Sequence, residues 1–144
     1  MFWGKHENLL SDSAGPIDKT VWTVAGGKGG TDKSVVTANL GIGLSTLGYY
    51  TTLIDADLGG ANLHTCLNIR RPTASLQDFL SKKTESLSDV LLDTPNERLK
   101  LISGGSELVG IANLNYQLKM KLIRHMNQLN ADFILVDLGA GTAF

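Results

Sequence analysis

A β-branched, apolar run, TVWTVA (20–25), leads without a break into the glycine-rich segment GGKGGTDKS (26–34). Beyond it Val36, Leu40, Leu44 and Leu47 recur at helical spacing as far as Gly48, a natural stop. Strand, glycine turn and helix in immediate succession leave few folds open. The helix must lie back across the sheet to which the strand belongs, with its N-terminus facing the strand's end. Backbone N–H groups at such a terminus, approached through glycines, suit an anion. The segment fits most of the phosphate-loop pattern G-x-x-x-x-G-K-[ST]. Gly27 opens it, Lys28, Gly29, Gly30 and Thr31 follow, and Lys33-Ser34 close it. The position of the pattern's second glycine is held by Asp32. A glycine-rich turn with a chance Lys-Ser is the plainer alternative.

The rest of the chain alternates in the same way. YTTLIDAD reads as a second strand ending at Asp55, LKLISGG as a third, and DFILVDLGAG as a last strand followed by a loop. SLQDFL and SLSDVLLD each place an acid three residues after a serine, a cap-like start for a short helix. Leu118, Leu122, Met126 and Leu129 stripe a further helix. Apolar strands separated by helices predict a three-layer α/β fold with a mainly parallel sheet covered on both faces. Residues 1–19 read as a loosely attached, flexible arm and 20–144 as one domain.

Composition narrows the function. A net charge of −1 gives no electrostatic reason to expect nucleic acid as a partner. The one cysteine, Cys66, excludes an internal disulfide framework and suits a reducing cytosol. No apolar run approaches the roughly 18 residues of a membrane span, and the N-terminus lacks an apolar signal core. A cytoplasmic protein is expected.

Ligands of parallel sheets bind outside the carboxyl ends of the strands. The strands ending at Ala25, Asp55, Ser103 and Asp137 all lead into glycine or acid. DADLGGANL, from Asp55, supplies two acids able to hold Mg²⁺ or its water, or to orient an attacking water. ILVDLGAG presents Asp137 after an apolar strand, the usual placing of an acid that steadies Mg²⁺. Either could instead be a solvated turn.

At these three places the sequence resembles the MinD/ParA family of P-loop ATPases. KGGTDKS is similar to the family's deviant Walker A, K-G-G-x-G-K-[ST], whose early lysine matches Lys28. DADLGGANL resembles the segment after the second strand in the MinD/FlhG-like branch, and VDLGAG the D-x-x-A-G loop. Order and spacing agree from about Thr20 to the end. The resemblance implies a P-loop NTPase fold and an ATP-dependent dimer switch in cellular positioning, of division site, chromosome or flagellum. Carried over, the loop Gly27–Ser34 holds ATP, with Lys33 on the β/γ-phosphates. Ser34, Asp55 and Asp137 serve Mg²⁺. Lys28 reaches the partner's nucleotide across a homodimer, and Asp57 orients the attacking water. A protein partner is implied too.

Two departures qualify that expectation. Asp32 adds bulk and a charge facing the phosphates. Like unit charges ~4 Å apart at an effective dielectric of ~20 cost ~4 kcal/mol, so weak or absent ATP binding is expected. The chain also stops just after the third motif, where the family continues. The fold is therefore expected to be incomplete on its C-terminal side and to lack the branch's membrane-targeting tail. Its last strand is expected near an open edge. The alternative function is a non-catalytic relative, a binding module without efficient nucleotide use. Cys66 reads as a small buried side chain, and a single cysteine disfavours an iron–sulfur carrier. His64 and His125 read as structural or exposed.

Overall fold

A computed structural model of the chain describes residues 5–7, 19–26, 32–57, 60, 62–105 and 114–139. Within them one six-stranded sheet runs in the order β1-β2-β6-β3-β5-β4. β1 is Lys5–Glu7, β2 Thr20–Val24, β3 Thr51–Asp55, β4 Leu92–Asp93, β5 Leu99–Ile102 and β6 Phe133–Asp137. The central strands β2, β6, β3 and β5 are parallel. The short strands β1 and β4 pair antiparallel at the two edges.

Helices cover both faces. On one, α3 (Leu76–Leu80), a 3₁₀ turn (Leu87–Val90) and α4 (Tyr116–Gln128) bury Phe79, Leu87, Leu122 and Met126 against Ile54, Ile102, Ile134 and Val136. On the other, α1 (Asp32–Thr46) and α2 (Leu63–Cys66) bury Ala38 and Leu63 against Leu53, Leu101 and Leu135. This is the three-layer arrangement expected. The serine-to-acid spacings work as caps. Asp78 accepts from the Ser75 N–H and Asp89 from the Ser86 N–H, both at 3.0 Å.

Three expectations need correcting. The last strand is not at an open edge, because β6 lies between β2 and β3. Its residues Ile134–Asp137 are all buried, which fits the centre of a sheet covered on both faces. The α1 stripe predicts the helix but not its buried face. The residues that α1 buries are Ser34, Thr37, Ala38, Gly41 and Ser45, while Leu40 and Leu47 are exposed. The cause at its centre is close approach: a Cβ at Gly41 would lie 2.6 Å from Leu53 Cδ2, leaving no room there for a side chain. Cys66 is exposed rather than buried. Of the segment 1–19, whose reading as a flexible arm is not decided by the described residues, only 5–7 and 19 are described. Lys5–Glu7 pairs with β2, and the Lys19 ammonium donates to the carbonyls of Met126, Asn127 and Leu129 at the end of α4. A cation there satisfies carbonyls that a helix leaves without partners.

Candidate nucleotide site

The parallel register sets the site. Val24, Asp137 and Asp55 lie side by side across β2, β6 and β3, each the last residue of its strand. Asp137 and Asp55 share the sheet face of Leu135 and Leu53, the face covered by α1 and α2. Asp137 is 0% exposed and Asp55 1%. Two carboxylates at that depth need partners.

Asp137 has two. The Ser34 hydroxyl donates to its Oδ2 at 2.6 Å, and the Lys33 ammonium pairs with its Oδ1. Both donors come from the first turn of α1. Thr37, fully buried, bonds the Lys33 carbonyl at 2.9 Å and ties that turn to the next.

Asp55 is held by backbone. Its Oδ1 accepts from the Asp57 N–H at 3.1 Å and its Oδ2 from the Leu63 N–H at 3.0 Å. Its carboxyl is pushed up to about 6, chiefly by burial, with the Asp137 and Asp57 charges adding to the rise and the two N–H groups opposing it. Asp55 therefore fastens both ends of the 57–63 segment. Its sequence position signals an acid at a strand end but not this bracing. Asp57 is half-buried and accepts from the Gly60 N–H at 3.2 Å. Although Cys66 is exposed as a residue, its thiol is raised by partial desolvation, then by the Asp137 and Asp55 charges.

Of the predicted site residues, the structure thus joins Lys33, Ser34 and Asp137 directly and sets Asp55 beside them. Asp57 reaches this group through its N–H bond to Asp55. Asp32 is the first residue of α1 and exposed. Gly27, Lys28, Gly29, Gly30 and Thr31 lie outside the described residues, as does part of DADLGGANL. An open cleft of about 340 Å³ lies at the end of β5, lined by His64, Ser75, Asp78 and Ser103–Gly105, and does not include Ser34 or Asp137.

The donor set fits Mg²⁺. A hydroxyl and carboxylates are hard oxygen ligands. Among the described residues no group of three or more His, Cys, Asp or Glu side chains is arranged to hold a metal.

Comparison with known proteins agrees with this geometry. The chain is 35% identical over 123 residues to the antiactivator FleN of Pseudomonas aeruginosa, covering 84% of this chain and 43% of FleN. It is 32% identical over 124 residues to the septum site-determining protein MinD of Helicobacter pylori, covering 84% and 45%. Among solved structures it resembles MinD from Pyrococcus horikoshii complexed with Mg-ADP, with a TM-score of 0.67 and 29% identity over 85% of this chain and 49% of that one. It also resembles the MinC:MinD complex of Aquifex aeolicus, with a TM-score of 0.70, 28% identity, and 85% and 48% covered. The chain thus spans a little under half the length of these relatives. The ParA family profile, described as NUBPL iron-transfer P-loop NTPase, matches residues 18–143. With strand, helix and acid placed as such a fold requires, the chain belongs to the ParA/MinD family of P-loop NTPases.

Proposed function

We propose that the chain is the phosphate- and Mg²⁺-binding part of an ATPase switch of the MinD/ParA type, serving cellular positioning. The observation that carries this reading is the meeting of Lys33 and Ser34, from the start of α1, with Asp137 at the end of β6. Lys33 supplies a cation for the β/γ-phosphates. Ser34 and Asp137 supply oxygens for Mg²⁺. Asp55 braces the segment carrying Asp57, which orients the attacking water. Lys28 and a second copy of the chain would complete the site, and Mg²⁺ held by Ser34 and Asp137 would supply charge neutralisation for phosphoryl transfer.

The positioning role rests on the kinship with FleN and MinD. A protein partner is proposed by analogy with the MinC:MinD complex. Iron–sulfur transfer, suggested by the family profile's description, finds no support within these 144 residues, whose one cysteine, Cys66, offers a single thiolate.

Asp32 favours a second reading, a binding module that keeps the fold without efficient nucleotide use. It stands at the first residue of α1, where phosphate would meet the helix N-terminus. Titration of the 144-residue chain with fluorescent ATP and Mg²⁺ separates the two. The switch reading expects saturable binding by the parent or by Asp32→Gly, lost in Lys33→Ala. Absence of binding in both the parent and Asp32→Gly would leave the module reading.

A further inference from the structure

Helix α4 carries a second apolar stripe that the core does not use. Its inner side buries Leu122 and Met126. On its outer side Tyr116, Met120 and Ile123 follow at spacings of four and three, and are 76%, 43% and 37% exposed. Residues so spaced share one face of a helix. Met120, Ile123, Arg124 and Asn127 line a shallow groove of about 250 Å³ on that face.

The charge beside the stripe has one sign. From Leu114 to Ala131 the sequence holds Lys119, Lys121 and Arg124 and no acid, although the whole chain has 14 acids against 13 lysines and arginines. Among the described residues none of these three is in an ion pair. Lys121 lies over the Phe79 ring, 4.6 Å from its centroid. Lys119 and Arg124 are left to flank the stripe, with Arg124 exposed in the groove wall. The surface is also clear of the nucleotide site, because α4 covers the sheet face opposite to α1 and α2.

We infer that the face of α4 from Tyr116 to Asn127 is a docking surface for an acidic amphipathic helix of a partner protein. An apolar side chain of that helix enters the groove at Met120 and Ile123, and its carboxylates meet Arg124 and Lys119. The inference stands apart from the nucleotide reading. Charge selects the occupant. Antiparallel pairing of two α4 helices that matches Met120 with Ile123 would also set Lys119 opposite Arg124, so a second copy meets like charge. A lipid surface is gripped by apolar side chains that project into it, whereas Met120 and Ile123 line a concavity that suits an inserted side chain.

The probe is a fluorescent peptide of about 18 residues, long enough to become helical on binding. It carries leucine along one helical face and glutamate on both flanks, and a control peptide has lysine for each glutamate. Anisotropy titration of the 144-residue chain is expected to show the glutamate peptide binding at least about tenfold more tightly than the lysine peptide. Arg124→Glu and Ile123→Glu are each expected to weaken it by about tenfold or more. Arg71→Glu, an equal charge change at an exposed arginine outside α4, is expected to change it by less than about twofold. Equal binding of the two peptides, or an Arg124→Glu variant that binds like the parent, would overturn the proposal. Should Ile123→Glu fail to fold by urea unfolding, Arg124→Glu against Arg71→Glu carries the comparison. Two further results would give the face to another occupant and overturn the proposal equally. One is a dimer in sedimentation velocity that Ile123→Glu abolishes. The other is binding to phosphatidylglycerol vesicles that Ile123→Glu abolishes, with no binding of the glutamate peptide. ATP affinity is not a readout of this test, so its failure leaves the nucleotide reading intact.

Discussion

The Ser34 hydroxyl donates to Asp137 Oδ2 at 2.6 Å, joining the first turn of α1 to the end of β6 across 103 positions of sequence. The bond is buried at both ends and its acceptor is a carboxylate, the stronger kind of hydrogen bond. Ser34→Ala is expected to lower stability by about 1–3 kcal/mol, read by urea unfolding. It should also weaken the response of ATP binding to Mg²⁺, because the proposed metal site loses one oxygen. An unchanged unfolding midpoint would mean that the bond contributes nothing net.

Two glycines of α1 carry opposite expectations. At Gly41 an added Cβ would meet Leu53 Cδ2 at 2.6 Å, where the helix approaches β3. Gly41→Ala should destabilise by about 1–3 kcal/mol through overpacking. At Gly43 nothing lies within 4 Å of the added atom. Gly43→Ala should stabilise by up to about 1 kcal/mol, since alanine is the better helix former. Thermal unfolding of the pair under one buffer checks the contrast, and matching shifts would contradict the packing described for α1.

That contrast also marks what the sequence could and could not reveal. Strand and helix order was legible because β-branched runs and the apolar stripe of α4 are strong periodic signals. The acids at strand ends were legible because glycine or acid followed each apolar run. The buried face of α1 was not. Its apolar residues are mostly turned outward, and the face on the sheet is chosen by size rather than hydrophobicity, as Gly41 against Leu53 shows. Lys19 was equally hidden. Its bonds to the end of α4 span more than 100 positions, and no local pattern announces them. The central position of β6 follows from crossovers, which strand composition alone leaves open.

Lys19→Met tests one of those hidden ties. The ammonium serves three carbonyls at the end of α4, and its pKa is lowered by burial. Methionine keeps much of the stem but none of the donors. A loss of about 1–2 kcal/mol is expected, with faster amide exchange in the last turn of α4. Exchange unchanged there would mean that the contact does not hold the helix end.

Asp55 predicts a pH dependence of definite sign. Its carboxyl is raised from 3.8 to about 6 in the folded chain. Between those values the folded state binds more protons than the unfolded one at this site. Its contribution to stability is therefore greatest at low pH and falls as pH rises, levelling off above about pH 6, by at most about 3 kcal/mol. Asp55→Asn removes the titration and keeps one acceptor for the Asp57 or Leu63 N–H. The stability of the variant relative to the parent should improve between about pH 4 and pH 7. A difference independent of pH would show that Asp55 titrates normally.

Asp32 sets two effects against each other. An acid in the first turn of a helix interacts favourably with the N-terminal dipole, and glycine is a poor helix residue, so Asp32→Gly should cost roughly 1 kcal/mol of stability. In the proposed nucleotide site the same acid stands where the phosphate-loop pattern has glycine, and its removal should tighten MgATP binding by about tenfold or more. The variant should thus melt earlier alone and be stabilised more by MgATP than the parent. Asp32→Asn distinguishes the causes. It removes the charge and keeps the bulk, so it should recover part of the affinity if repulsion dominates and almost none if the obstacle is steric. Hydrolysis is a separate matter. It needs Lys28 from a second copy in the proposed switch, so Asp32→Gly can restore binding without turnover. Calorimetry at one salt concentration gives the affinities. Equal values for the parent and Asp32→Gly would show that Asp32 is no obstacle to the nucleotide.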